Sequence, residues 1–127
     1  MHNNTKRAVV AIVPVGHLEI EGLMAEDGEY GIAIPQVAKR FSFPIKHASR
    51  DLKAMLDKDS SLPTKWKTDL NSKAVNVITL KQFEKVVFEL ALKGNQGAVD
   101  FCRALIGDSL EQLFADAFGK KREKEER

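Results

Sequence analysis

The sequence predicts an α+β fold: a small N-terminal antiparallel sheet or hairpin, a helix-turn-helix-like pair, one further strand and three C-terminal helices. Three observations carry it. Apolar runs in the first 34 residues alternate with period two between glycine turns, the period becomes helical from Ile34, and three capped apolar stripes follow Val75. At 127 residues with 43% hydrophobic and 30% charged side chains, the composition is globular and the length suits one domain. That domain is expected over residues 1–119, with a flexible lead at 1–7, strands at 8–34, the helical pair at 35–56, a wing-like loop at 57–74, and a strand plus helical half at 75–119. Residues 120–127 are expected as a charged tail, with no further domain after it.

Ala8 to Val15 is rich in β-branched residues, and Pro14 suits a strand edge or end. The stretch has the length of a signal-peptide core, but its polar lead-in and the Val-Pro-Val-Gly sequence favour a strand. Leu18 to Leu23 alternates apolar and acidic residues, Asp27-Gly28 signals a hairpin turn, and Tyr30 to Ile34 continues as a strand. Ile34, Val37, Ala38 and Phe41 then follow helical spacing, with Pro35 in the first turn and Pro44 ending the run near Phe41. A second helix is expected from about Ile45 to Leu56, with Ala48, Leu52 and Met55 inward and Lys46, Arg50 and Lys53 opposite. In the polar connection that follows, Trp66 is expected to fold inward with Leu62 and Leu70, leaving Lys65 and Lys67 outward.

Val75 to Ile78 reads as a short strand. Thr79 and Gln82 then form a capping box that opens a helix running to about Lys93. Asn95 caps the next helix, which ends at Gly107. Ser109 and Gln112 form a second capping box, and the last helix is expected to stop at Gly119.

Little in the chain points to catalysis. There is no glycine-rich phosphate loop, no HExxH and no GxSxG, and one cysteine with three scattered histidines does not make a usual zinc set. Asp100, Asp108, Glu111 and Asp116 have the spacing of outer-face and first-turn acids, so no metal, cofactor or enzymatic role is expected. Cys102 falls on an apolar stripe as a small buried hydrophobe, and a lone cysteine fits a reducing, cytoplasmic setting. The chain has no run of 18 apolar residues, and no membrane association is expected.

The net charge of +2 is unevenly spread. Residues 15–30 carry Glu19, Glu21, Glu26, Asp27 and Glu29 without a lysine or arginine, whereas residues 39–73 carry nine basic residues against four aspartates. Such a basic middle is the footprint of a module that meets a polyanion locally. Lys46, His47, Ser49, Arg50 and Lys53 are expected to face double-stranded DNA, supported by Lys39, Arg40, Lys65 and Lys67. Arg50 is the candidate for a base edge, because its planar fork can bond guanine O6 and N7 together. Lys46 and Lys53 suit phosphates, which set register without reading sequence.

The chain also resembles the Bro-N type of domain found at the N-terminus of phage and viral antirepressor-like proteins. The resemblance covers about residues 18–119 and lies in GIAIPQVAKRF, PIKHASRDLKAML, VNVITLKQFEKVVFELALKGNQGAVDFCRAL and SLEQLFADAFG. Gly31-Ile32-Ala33 and Phe101-Cys102-Arg103 stand where that family's pattern has aromatic and tryptophan positions. Segments such as QVA, ASRDLKA, GNQ and DAFG are similar to small stand-alone proteins of cyanobacterial genomes. The resemblance implies sequence-specific DNA binding and a transcriptional or phage-type regulatory role. Homodimerisation through the apolar-rich C-terminal helices is expected with it. The alternative is an adaptor, antirepressor or inhibitor that binds a protein partner through the helical half or the acidic strand.

Overall fold

A computed structural model describes residues 5–42, 48–55, 64–68 and 73–125. Among them are β1 (Lys6–Val15), β2 (Leu18–Ala25), β3 (Tyr30–Ala33), α1 (Ile34–Arg40), α2 (Ala48–Met55), β4 (Thr64–Thr68), β5 (Val75–Thr79), α3 (Leu80–Leu92), α4 (Gln96–Leu105) and α5 (Leu110–Glu125). The five strands close into a barrel in the order β1-β2-β3-β5-β4.

That closure overturns the expected architecture of an open sheet or hairpin with a helix-turn-helix-like pair, one further strand and three C-terminal helices. The chain is α+β, with five helices and a closed five-stranded barrel. The missing piece is β4, which forms inside the expected wing-like loop. Its sequence Thr-Lys-Trp-Lys-Thr has a strand's alternation, with Lys65 and Lys67 exposed and Trp66 and Thr68 buried. A second difference is α5, which passes through Gly119 to Glu125. A mid-helix glycine costs only about 1 kcal/mol, and the Lys, Arg and Glu that follow are good helix formers.

β1, β2 and β3 form an antiparallel meander, turned first at Gly16-His17, where Gly16 holds the positive φ of 60° that a two-residue hairpin turn needs. β5 pairs antiparallel with β3 and with β4. β4 then runs parallel to β1, aligning Lys6 with Trp66, Arg7 with Lys67 and Ala8 with Thr68. The path resembles a Greek key, in which a fourth strand returns beside the first, but here the returning strand is parallel.

The long β1–β2 hairpin serves two cores. Ala8 and Val10 face Ala25 and Leu23 inside the barrel, around Trp66, Ala33 and Val77. On the other face Ala11, Val13 and Val15 are paired with Gly22, Ile20 and Leu18, and this face lies under α4 and α5. Gly22 is needed there, since a Cβ would stand 2.6 Å from the Phe114 ring of α5. Glu26 donates its backbone N–H to the Arg7 carbonyl at 2.9 Å, so the odd-numbered residues of β1 bond to β2. The even-numbered amides point to the opposite edge, where Pro14 offers no donor to a foreign strand.

The helical half is joined by aromatic contacts. Phe41, directly after α1, meets Phe83 of α3 and Phe101 of α4 at centroid distances of 6.0 and 6.2 Å, and Phe83 meets Phe101 edge-on at 5.5 Å. Tyr30 of β3 stacks on Phe118 of α5 at 5.8 Å. The caps of α3 and α4 form as their residue types dictate. Thr79 and Gln82 bond reciprocally, and the Ala98 N–H donates to Asn95 Oδ1 at 2.9 Å. At the start of α5 the Gln112 N–H donates to Ser109 Oγ at 3.3 Å.

Candidate functional site

The basic segment leaves the barrel at the end of β3. α1 starts at once, with Pro35 in its first turn and Ile34, Val37 and Ala38 buried, so Gln36, Lys39 and Arg40 fall toward its outer side. Lys39 and Arg40 occupy the last turn, where the helix dipole favours cations. The chain then turns at Ser42, the one non-glycine residue of positive φ (62°) among the described residues. Asn95 Nδ2 donates to the Phe41 carbonyl at 3.0 Å while Asn95 Oδ1 caps α4. One side chain therefore ties the end of α1 to the helical half.

α2 packs on α1 and α3, with Leu52 fully buried. Arg50 points to solvent with its side chain 75% exposed; its Nε lies 3.9 Å from Asp51 Oδ1, too long for a strong pair. Ser49 and Lys53 lie within α2, whereas Lys46 and His47 fall outside the described residues. Lys65 and Lys67 lie on the outer face of β4, and Lys73, just before β5, is also exposed.

The structure thus gathers two basic sets. Lys39, Arg40 and Arg50 belong to the α1–α2 excursion, and Lys65 and Lys67 belong to the barrel wall. The sequence reading missed Arg7, assigned to a flexible lead. Arg7 is in β1, exposed and in register with Lys67, which makes a short basic strip across β1 and β4. The signal was its place ahead of the β-branched run of Val9 and Val10, with one residue between.

Four of the five acidic residues of the 15–30 segment fall into two groups. Asp27 and Glu29 sit at the β2–β3 turn against Lys6, whose Nζ lies 2.7 Å from Asp27 Oδ2 and 3.7 Å from Glu29 Oε2. The Lys6 ammonium holds the Asp27 carboxyl below the usual aspartate range, and the Glu29 N–H adds to this. The Asp27 carboxylate in turn raises Lys6. Glu19 and Glu21 instead line a groove of about 280 Å³ between β2 and α1, facing Lys39 and Arg40.

Cys102 is a free thiol, half-buried against the core. Among the described residues no group of histidine, cysteine, aspartate or glutamate is placed to hold a metal ion, and no helix is long and apolar enough to cross a membrane. Comparison with family models, with curated proteins and with solved structures finds no match.

Proposed function

We propose that this protein binds double-stranded DNA through the basic residues of α1, α2 and β4 and acts as a transcriptional or phage-type regulator. The observation that supports it best is the solvent presentation of the cations: Lys39, Arg50, Lys65 and Lys67 are exposed, and the barrel continues their charge through Arg7. Lys65 and Lys67 alternate with buried Trp66 and Thr68, so the strand that closes the barrel fixes both lysines on one face. Lysines held this way suit phosphates, and Arg50 on α2 suits a base edge.

The test is a fluorescence-anisotropy titration of the pure protein with a random duplex of roughly 30 base pairs at about 50 and 200 mM salt. Affinity that falls log-linearly with salt supports the reading. No binding at the lower salt removes it, because phosphate contacts supply non-specific affinity at minimum.

A second reading has its own observation. Phe88 and Leu92, four residues apart on α3, are 62% and 70% exposed. Adjacent large apolar side chains in water favour a protein partner, with a homodimer the form that suits paired DNA half-sites. A monomeric mass at micromolar concentration in sedimentation equilibrium excludes the homodimer.

A further inference from the structure

The groove between β2 and α1 shares Lys39 and Arg40 with the DNA reading and adds an acidic wall and an apolar floor that the DNA reading does not use. Its floor is apolar and buried: Ile20, Ile32, Val37 and Phe83. Glu19 and Glu21 rise from one wall; two residues apart on an extended strand, they share a face at about 7 Å. Gln36, Lys39 and Arg40 of α1 form the other wall. Opposed carboxylates and cations with long side chains would ordinarily meet and close such a gap. Among the described residues no ion pair joins these walls.

The volume narrows the ligand. Pockets for drug-sized molecules run from about 300 to 1,000 Å³, so a groove of about 280 Å³ suits a smaller one. A molecule that satisfies both walls carries a positive and a negative group close together, with an apolar body for the floor. We propose that the groove binds a free α-amino acid with an apolar side chain. Its ammonium group lies against Glu19 and Glu21, its carboxylate against Lys39 and Arg40, and its side chain on Ile32 and Phe83. The Gln36 amide, both donor and acceptor, can serve either charged group. A ligand with only one charge leaves the opposite wall uncompensated, and charge-assisted hydrogen bonds are the strong ones.

Isothermal titration calorimetry of the whole protein with L-leucine and L-phenylalanine tests this, and it contains no DNA, so failure here is distinct from failure of the DNA reading. Isoamylamine and isocaproate, which are leucine without its carboxylate and without its ammonium group, serve as controls. One of the amino acids should bind at one site per chain, with each single-charge control at least about tenfold weaker, the worth of one charge-assisted bond. Glu21→Gln should weaken amino-acid binding by a similar factor with the circular dichroism spectrum unchanged. If that variant does not fold, Lys39→Met on the exposed opposite wall reads the same loss. The proposal fails if neither amino acid gives heat or a melting shift at about 10 mM, or if isoamylamine binds as tightly as leucine.

Discussion

Trp66→Ala should cost this protein close to the largest amount a single core truncation can. Trp66 is the chain's only tryptophan and is wholly buried inside the barrel. Its surroundings are unusually small: Ala8, Ala25 and Ala33 share its cluster, and Gly31 is so close that a Cβ there would meet the indole ring at 2.9 Å. Leu23 and Val77 are the larger neighbours, and both belong to paired strands that cannot collapse inward without breaking register. Truncation of a buried Trp to Ala costs about 3–5 kcal/mol, and a site that cannot relax falls at the top of that range. Against a total stability of about 5–15 kcal/mol, a loss of about 5 kcal/mol removes between a third and all of it. Trp66→Phe should cost much less, about 1–2 kcal/mol, because most of the ring stays and the unpartnered Trp66 Nε1 donor is removed. Guanidinium unfolding followed by far-UV circular dichroism measures both variants, and iodide quenching of the parent's tryptophan reports its burial. A loss below about 1.5 kcal/mol for Trp66→Ala, or native-state quenching equal to that of the unfolded chain, would refute a barrel filled by this side chain.

Asn95→Ala removes both a helix cap and the donor to the Phe41 carbonyl, and should cost about 1.5–3 kcal/mol in urea unfolding. Asn95→Asp keeps the cap and should lose only about half as much; equal losses would mean that the cap contributes nothing and the bond to Phe41 carries the whole effect. Ser42→Gly should raise stability by about 1 kcal/mol, because glycine adopts the φ of 62° without the left-handed penalty; a loss measured by thermal melting contradicts this. The depressed Asp27 carboxyl adds stability that is present above the unfolded aspartate's pKa and is lost as pH falls through the folded value, while the raised Lys6 loses its share only as pH climbs through its own folded value. Asp27→Asn should therefore flatten the acid limb of the stability curve, with parent and variant converging at the lowest pH and the difference shrinking in salt. For DNA, replacing Lys65 and Lys67 with Gln should reduce the salt slope by about 2, whereas Arg50→Ala should cost about 1–3 kcal/mol and relax one base preference. An unchanged slope removes β4 from the interface.

What the sequence showed and what it hid divides by range. Helix starts were legible because a cap is local: Thr79 and Gln82, or Asn95 and Ala98, lie within one turn of each other. The meander was legible because its turns hold Gly16 and Asp27-Gly28. β4 was hidden because two of its five side chains are lysines, which gave its residues the composition of a loop. Its decisive partner is also sixty residues away, and a parallel pairing of Lys6 with Trp66 has no turn to announce it. The same distance hid Arg7, since only the closed barrel makes it a neighbour of Lys67. Lys39 and Arg40 were readable from helical spacing, but the facing Glu19 and Glu21 read as one acidic strand with Glu26, Asp27 and Glu29. Only the fold separates a groove wall from a turn tied to Lys6.

The barrel and the basic segment are coupled by construction, which bears on how any binding defect is interpreted. The α1–α2 excursion starts from β3 and returns into β4, and Asn95 ties its first helix to α4. A core change such as Trp66→Phe can therefore displace Lys65 and Lys67 without touching their charge. Loss of a phosphate contact lowers the salt slope, because fewer counterions are released on binding. A displaced but intact set of cations lowers affinity through geometry, and its slope falls only if a contact is given up altogether. Salt dependence thus separates residues that meet DNA from residues that hold them in place, and affinity at a single salt concentration does not. By that criterion Lys65 and Lys67 should change the slope, whereas Asn95 and Trp66 should shift affinity at every salt concentration alike.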